Sequence, residues 1–166
     1  MKRFKKNALF FIVLVLIAVQ GSSRDDYDYY DYYDYYAVYM DRTDLKKSIS
    51  YKPGTEQEMK NPGKIYYKHP YLYVNEKYKG VHVFDNTDAK LEKKGFIVAP
   101  GCLDMAVKDN IIYLDNSVDL VSFNLETLKE TKRIENVFPE PTPPNWNVRT
   151  DYDRPENLVI VEWIKR

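Results

Sequence analysis

The sequence predicts an all-β protein with two four-stranded, propeller-blade-like repeats and a C-terminal strand, preceded by a short N-terminal helix. From residue 64 onward, short runs rich in Tyr, Val, Ile and Phe alternate with turn residues at regular intervals. A similar pattern begins again after about 40 residues, which is the length of one propeller blade. A further apolar run lies close to the C-terminus, at residues 158–164.

Residues 1–23 have the three parts of a signal peptide. Four basic side chains lie within residues 1–6, an unbroken apolar run covers residues 8–19, and small polar residues follow at 21–23. The apolar run is shorter than the roughly 20 residues that cross a bilayer. We therefore expect export, with cleavage after Gly21 or Ser23, and the alternative is an uncleaved leader that anchors the chain. No Cys follows the apolar run, so the lipid anchor of bacterial lipoproteins is not expected.

The charge balance argues against a nucleic-acid partner. The chain has 25 Lys and Arg residues and 25 Asp and Glu residues. The leader holds four of the basic residues and no acidic one, so its removal leaves a net charge near −4. Nucleic-acid binding needs a concentrated basic face, which this balance does not suggest.

The chain has one cysteine, Cys102, so it cannot form an internal disulfide. In an oxidising compartment a single thiol is either buried or available for pairing between chains. We expect burial, because unpaired Cys is among the most buried residue types.

Residues 24–39 are predicted to be a disordered, solvated spacer. Within them, residues 25–36 contain only Asp and Tyr, in a repeating Asp-Tyr-Tyr pattern without the varied side-chain shapes that fill a core. The alternatives are tyrosines that stack on sugars or bases and carboxylates that bind Ca²⁺. A Ca²⁺ site needs about six or more converging oxygens in a fixed loop, and the run lacks turn residues. The spacer is therefore the favoured interpretation.

Residues 40–63 are predicted to form a short helix and a loop. The helix is expected over residues 41–50, with Asp41 or Thr43 as its N-cap and with Leu45 and Ile49 on one face. It is too short to be stable alone. Pro and Gly residues at 53–54 and 62–63 end it and predict a loop into the folded domain.

Residues 64–138 are predicted to hold the two repeats, without any helix. Strands are expected at residues 65–68, 71–75, 80–85 and 95–99, and again at 104–108, 111–115, 119–124 and 129–134. In this alignment Tyr73 matches Tyr113 and Phe84 matches Phe123, at offsets of 40 and 39 residues. These pairs should therefore occupy equivalent places in two superposable units.

The run Gly80-Val81-His82-Val83-Phe84-Asp85-Asn86-Thr87-Asp88 resembles the repeat of the LVIVD-repeat proteins. Residues 119–127 are a weaker copy, and residues 158–162 read Leu-Val-Ile-Val-Glu. Residues 40–138 are similar throughout to a Bacteroidetes-type member, and such members usually begin as lipoproteins with an acidic, Tyr-rich spacer. The resemblance implies a β-propeller-like fold and a place in the bacterial envelope, in the periplasm or at the cell surface in association with the outer membrane. It carries over no site residues.

Residues 139–166 are predicted to be a Pro-rich connection followed by the C-terminal strand. Propellers typically close with 4 to 8 blades, and two blades leave an open sheet edge that invites pairing with another chain. We expect two small packed sheets, with residues 139–144 covering an edge and residues 158–164 adding a buried final strand. Homo-oligomerisation through an open edge is an alternative.

The sequence holds no recognised catalytic motif. It lacks Gly-x-Ser-x-Gly, His-Glu-x-x-His, Cys-x-x-Cys and a phosphate-binding glycine loop. His69 is predicted to be a surface turn residue, and His82 a sheet-face residue beside Phe84. Residues 85–88, Asp-Asn-Thr-Asp, match a fragment of a Ca²⁺ loop, but we favour a turn between strands.

These observations favour a non-catalytic binding or structural module that needs no cofactor or metal. A dense aromatic set could bind a glycan with its exposed half, the other half being core: Tyr66, Tyr67, Tyr71, Tyr73 and Tyr78. An envelope protein is the other candidate partner. The alternative function is a glycosidase-like hydrolase that uses carboxylates such as Asp85, Asp115 and Asp119. A carboxylate pair about 5 to 10 Å apart in a cleft would favour hydrolysis, and dispersed carboxylates would favour binding.

Overall fold

The computed structural model describes residues 33–54, 56–88, 90–151 and 153–165. The predicted signal peptide and residues 24–32 of the predicted spacer lie outside these ranges. The described chain is mostly β, with three open sheets and one helical turn. Within the same ranges, no helix has the length and apolar character needed to cross a membrane.

The first sheet has five antiparallel strands in the order β2-β6-β5-β4-β3. Its strands are β2 (Ser50–Pro53), β3 (Pro62–Lys68), β4 (Tyr71–Glu76), β5 (Gly80–Asp85) and β6 (Glu92–Val98). Gly80 lies where β5 meets β6, with φ of +140°, and a Cβ atom there would come within 1.9 Å of the Ile97 carbonyl oxygen. Only glycine therefore fits at the start of β5.

The second sheet has four antiparallel strands in the order β10-β9-β8-β7. Its strands are β7 (Met105–Lys108), β8 (Ile111–Asn116), β9 (Asp119–Asn124) and β10 (Lys129–Ile134). Alternate residues of β8 and β9 are buried, as the period of two in a strand requires. No helix occurs among the described residues between 65 and 134, as predicted.

The third sheet joins the two ends of the described chain. It contains β1 (Tyr35–Asp41), the antiparallel β12 (Leu158–Lys165) and the short parallel strand β11 (Val148–Arg149). The predicted spacer overlaps β1 at residues 35–39, and there the prediction of disorder is wrong. The reason is a tertiary partner: β12 offers a β-branched strand along which β1 pairs, for example Met40 with Val159.

The predicted helix of residues 41–50 is a single turn, α1 (Arg42–Leu45). Asp41 caps it, because its carboxylate accepts a 2.7 Å hydrogen bond from the Thr43 N–H. The chain then leaves the helix, and Ser50 pairs with Val98 at the start of β2. A turn and a short connection over residues 46–49 therefore replace most of the second half of the predicted helix.

The main core lies between the first two sheets. Its fully or nearly fully buried side chains include Val81, Ile97, Cys102, Ile112, Leu114, Val121 and Phe123. Burial of Cys102 confirms the prediction made for this thiol. A smaller cluster of Leu45, Val118, Val159 and Val161 joins the third sheet to the β8–β9 hairpin.

The predicted C-terminal strand belongs to the fold. Its residues Val159, Ile160, Val161 and Trp163 are buried. The Pro-rich segment binds this strand directly: the Pro141 carbonyl accepts a 2.8 Å hydrogen bond from the Trp163 indole, and the Glu140 carboxylate accepts one of 3.1 Å from the Ile160 N–H. The strand forms its own sheet with β1, so there are three sheets and not the predicted two.

The predicted equivalence of Tyr73 with Tyr113 is wrong for the side chains. Each is the third residue of its strand, yet Tyr73 is 2% exposed and Tyr113 is 36% exposed. The two hairpins differ in length, since three residues separate β4 from β5 and two separate β8 from β9. Tyr73 pairs with Val83 on the face towards the main core, whereas Tyr113 pairs with partly exposed Ser122 on the opposite face of its sheet. In the second sheet the adjacent residues Ile112 and Leu114 face the core instead.

The second predicted equivalence fails for the same reason. Phe123 is fully buried in the main core, whereas Phe84 is partly buried on the other face of its sheet, beside His82. A one-residue change of register moves a side chain to the opposite face of a strand.

Candidate functional site

A cleft of about 570 Å³ opens between the first two sheets at one end. The β3–β4 turn and the ends of β5 and β6 line one wall, and the β7–β8 and β9–β10 turns line the other. We call it the tyrosine cleft, after Tyr51, Tyr71 and Tyr73. Its polar lining comes from Lys68, His69, Asp85, Lys94, Asp109, Asn110 and Glu126.

The three tyrosines come from two strands of the first sheet. Tyr71 and Tyr73 are two residues apart on β4 and therefore share a face, with ring centroids 6.4 Å apart and an interplanar angle of 50°. Tyr51 on β2 lies over Gly95 of β6, where a Cβ atom would come within 2.3 Å of its hydroxyl oxygen. The missing side chain at Gly95 is therefore what lets Tyr51 lie against the sheet.

The tyrosine hydroxyls are available to a ligand. Burial, with a smaller effect of the neighbouring Tyr71, raises the pKa of Tyr73 to about 12. Burial also raises the pKa of Tyr51, against the opposing effect of Lys94. Both groups therefore keep their protons at neutral pH. Within the described part of the chain, no protein group forms a hydrogen bond with the hydroxyl of Tyr51, Tyr71 or Tyr73.

Three charged groups of the cleft, those of Asp85, Lys94 and Lys68, contact their own neighbours. Asp85 accepts hydrogen bonds from the Thr87 hydroxyl (2.5 Å) and N–H (2.8 Å), and it lies 3.4 Å from the Lys94 ammonium. These contacts, those of Thr87 first, lower the pKa of Asp85. On the other wall, Lys68 donates a 2.6 Å hydrogen bond to the Asp109 carbonyl.

Two of the five predicted aromatic residues, Tyr71 and Tyr73, line this cleft. Tyr66 instead donates a 2.9 Å hydrogen bond to the Val107 carbonyl and so joins β3 to β7. Tyr67 is exposed, and its hydroxyl lies 3.2 Å from His69 Nδ1. Tyr78 lies in the β4–β5 loop, where its N–H donates to the Cys102 carbonyl.

The two histidines occupy the kinds of position that the sequence predicts. His69 is exposed in the β3–β4 turn, at the mouth of the cleft. His82 lies on β5 away from the cleft and is fully buried, with Nε2 3.3 Å from a Glu76 carboxylate oxygen. Its ring packs against Phe96, with a centroid distance of 4.7 Å. Burial lowers the pKa of His82, and the hydrogen bond to Glu76 opposes this effect.

The three carboxylates that are candidates for hydrolysis do not meet in the cleft, because only Asp85 lines it. Asp85 belongs to the first sheet, and Asp115 and Asp119 belong to the second. Asp115 accepts hydrogen bonds of 2.8 and 2.9 Å from the N–H groups of residues 103 and 104, and burial raises its pKa. Asp119 is fully buried and forms ion pairs with Arg42 and Arg133. All three have local structural partners.

The Asp-Asn-Thr-Asp run forms a turn, since the Asp85 carboxylate accepts from the N–H two residues later. Among the residues that the structure describes, no group of three or more His, Cys, Asp or Glu side chains is placed to hold a metal ion.

A second groove, of about 480 Å³, lies between the second sheet and the Pro-rich segment. Its lining is largely apolar and includes Met105, Tyr113, Leu120, Phe138 and Pro141. Tyr113 therefore lies outside the tyrosine cleft.

Sequence reasoning missed Tyr51, because the pattern predicts a helix over residues 41–50 and no strand directly after it. The pairing of β2 with β6 places Tyr51 beside Tyr71 and Tyr73.

Comparison with protein-family models, with curated proteins and with solved structures finds no match to this chain. The resemblance to LVIVD-repeat proteins therefore stays a prediction.

Proposed function

We propose that this chain is an exported LVIVD-like envelope protein that acts as a non-catalytic binding module, with its ligand in the tyrosine cleft. The observation that carries the proposal is the set of three tyrosines at one end of two packed sheets, with hydroxyls free of partners in the described chain. A concave site lined by aromatic rings and a few polar groups is typical of ligand binding.

The blade-like arrangement is part of the same proposal. Strands β3–β6 and β7–β10 each form a four-stranded antiparallel meander, as one propeller blade does. The first strands of the two units are neighbours, joined by the Tyr66 hydrogen bond and by the 2.7 Å ion pair of Lys64 and Asp104. Such proximity of the first strands supports a propeller-like relation between the units.

Export to the periplasm or cell surface rests on the leader at residues 1–23. N-terminal sequencing of the protein purified from its native host should find a chain that begins after Gly21 or Ser23. A chain that retains Met1 would contradict cleavage and favour an anchored leader.

The binding role can be tested with the mature chain immobilised and exposed to a native envelope extract. The proposed partner is an envelope glycan or protein. The wild type should retain it, and so should Tyr113→Ala, which removes a tyrosine of similar exposure outside the cleft. Tyr71→Ala should lose it, because Tyr71 is 39% exposed and lines the cleft. Equal retention by all three proteins would contradict binding in the cleft.

The alternative partner arrangement is self-association through an open sheet edge. Light scattering of the mature chain over a range of concentrations distinguishes this from a monomeric module, because self-association raises the mass with concentration.

A second candidate function is a glycosidase-like hydrolase, since Asp85 and Glu126 line opposite walls of the cleft. The lowered pKa of Asp85 keeps it ionised, which suits a base or nucleophile and not a general acid. Hydrolysis of chromogenic glycosides that Asp85→Asn abolishes would favour this function over the binding module.

A further inference from the structure

We propose that the tyrosine cleft takes a short, uncharged saccharide. This inference rests on the proposed function and specifies the chemical class of the ligand. Three properties of the cleft support it: its tyrosines, its engaged charges and its shape.

The tyrosines suit the two surfaces of a sugar ring. A pyranose has an apolar face of C–H groups and a rim of hydroxyls, so it uses both an aromatic face and a hydrogen-bonding group. Tyr71 lies at the mouth with more than a third of its surface exposed, and Tyr73 is buried behind it. Tyrosine combines an apolar ring with a polar tip, and these tips have no partner in the described chain. A purely apolar ligand would leave them unsatisfied.

The ion pair of Lys94 and Asp85 in the cleft favours an uncharged ligand. Lys94 is paired with Asp85, and Lys68 donates to the Asp109 carbonyl. An anion would compete with Asp85 for Lys94, and a cation would compete with Lys94 for Asp85. A sugar hydroxyl can donate to Asp85 and accept from Lys94 without separating the pair. The hydrogen-bonded Asn110 and Glu126 on the opposite wall offer the same combination of donor and acceptor.

The shape of the cleft favours a short ligand. Its volume of about 570 Å³ lies within the roughly 300 to 1,000 Å³ of small-molecule sites. The two sheets form its sides, and turns from both sheets surround the opening. A ligand that enters from this end presents a chain terminus or a few sugar rings, whereas a long polymer would need an extended surface.

The test applies the intact mature chain to an array of neutral and acidic glycans. Calorimetric titration then measures the affinity of the protein for the neutral glycan and for the acidic glycan that bind best on the array. We expect a neutral glycan to bind. Tyr71→Ala should weaken its binding by about tenfold or more, because the stacking ring is lost. Tyr71→Phe keeps the ring and should weaken it less. Tyr113→Ala should leave the affinity unchanged, and equal melting temperatures for the three variants and the wild type show that the fold is intact.

The outcomes separate the ligand class from the function. A neutral glycan bound in the manner expected supports both. Preferential binding of an acidic glycan with the same dependence on Tyr71 overturns the claim of an uncharged ligand and leaves the cleft as the binding site. Binding to no glycan overturns the saccharide inference, while retention of an envelope protein that depends on Tyr71 would still support the binding module. Glycan binding that Tyr71→Ala and Tyr113→Ala weaken equally overturns the assignment to this cleft.

Discussion

Replacement of Asp119 by Ala should destabilise the fold strongly, because it removes the carboxylate at the centre of a buried ion-pair cluster. Asp119 begins β9, and its side chain is fully buried. Its carboxylate accepts from Arg42 at 3.1 Å, from Arg133 at 2.9 Å and from the Asn136 N–H at 3.1 Å. It thereby joins the α1 turn and the segment after β10 to the start of β9.

The size of the effect follows from what the substitution leaves behind. The Arg133 side chain is only 9% exposed and would keep its charge with one fewer partner. Removal of one partner of a buried ion pair costs about 3 to 5 kcal/mol when the other charge is left uncompensated. Arg133 keeps its ion pair with Glu130, so we expect a loss at the lower end, about 3 kcal/mol. A small domain has a net stability of about 5 to 15 kcal/mol, so the loss is a large fraction of the total.

Urea unfolding, followed by the fluorescence of buried Trp163, measures this loss. The matched control is Glu58→Ala, which removes an ion pair with Lys60 whose side chains are about three-quarters exposed. An exposed pair contributes roughly 0 to 1 kcal/mol, so the control should stay close to the wild type. If Asp119→Ala loses no more stability than Glu58→Ala, the reasoning about the buried cluster is refuted.

Three further predictions concern the C-terminal strand, one glycine and one histidine. Truncation before Asn157 removes four buried side chains, and burial of each stabilises the fold by roughly 1.5 to 3 kcal/mol, so the chain should unfold or aggregate. A soluble monomer of unchanged melting temperature would show that the strand is dispensable. Gly95→Ala should lower the free energy of unfolding in urea by about 1 to 3 kcal/mol and weaken ligand binding, because the added Cβ atom would displace Tyr51. Unchanged stability and unchanged binding would contradict this prediction. The free energy of unfolding should fall as the pH drops from 8 to 5, because His82 is protonated near pH 6.5 in the unfolded chain while the folded state holds it neutral. His82→Phe should reduce this loss of stability, and a pH profile identical to that of the wild type would contradict the argument.

The geometry at His82 explains the direction of its pH effect. Its Nε2 faces Glu76, and Nδ1 is buried without a hydrogen-bond partner in the described chain. A proton added to Nδ1 would be an unsatisfied buried donor. The groups around the ring are the aromatic Phe84 and Phe96 and the charged Glu76 and Lys93, and of the two charges only Glu76 favours protonation.

The eight strands β3 to β10 could be predicted because their residues carry local signals. The runs 80–85, 119–124 and 129–134 coincide with β5, β9 and β10, and the other five predicted strands overlap the observed ones. Alternating apolar residues and turn residues mark such strands without any tertiary information.

Strands β1 and β2 could not be predicted in the same way. The residues of β1 continue the Tyr-rich spacer, and Ser50–Pro53 is short and bounded by the Pro-Gly turn. Their partners β12 and β6 lie far away in the sequence, so only the fold supplies the pairing. Tyr51 of β2 lines the cleft together with Tyr71 and Tyr73 of β4. No single stretch of the sequence therefore predicts the complete site.

The three tyrosines of the tyrosine cleft differ in how much each contributes to the stability of the fold as well as to the proposed binding site. Tyr73 is a member of the main core, and Tyr51 packs against that core, so substitution of either would perturb the fold as well as the site. Tyr71 is 39% exposed and lies at the edge of the same cleft. Truncation of a partly exposed ring removes less buried area than truncation of a buried one, so its cost in folding is smaller. Of the three tyrosines, Tyr71 is therefore the one at which a loss of binding can be separated from a loss of structure.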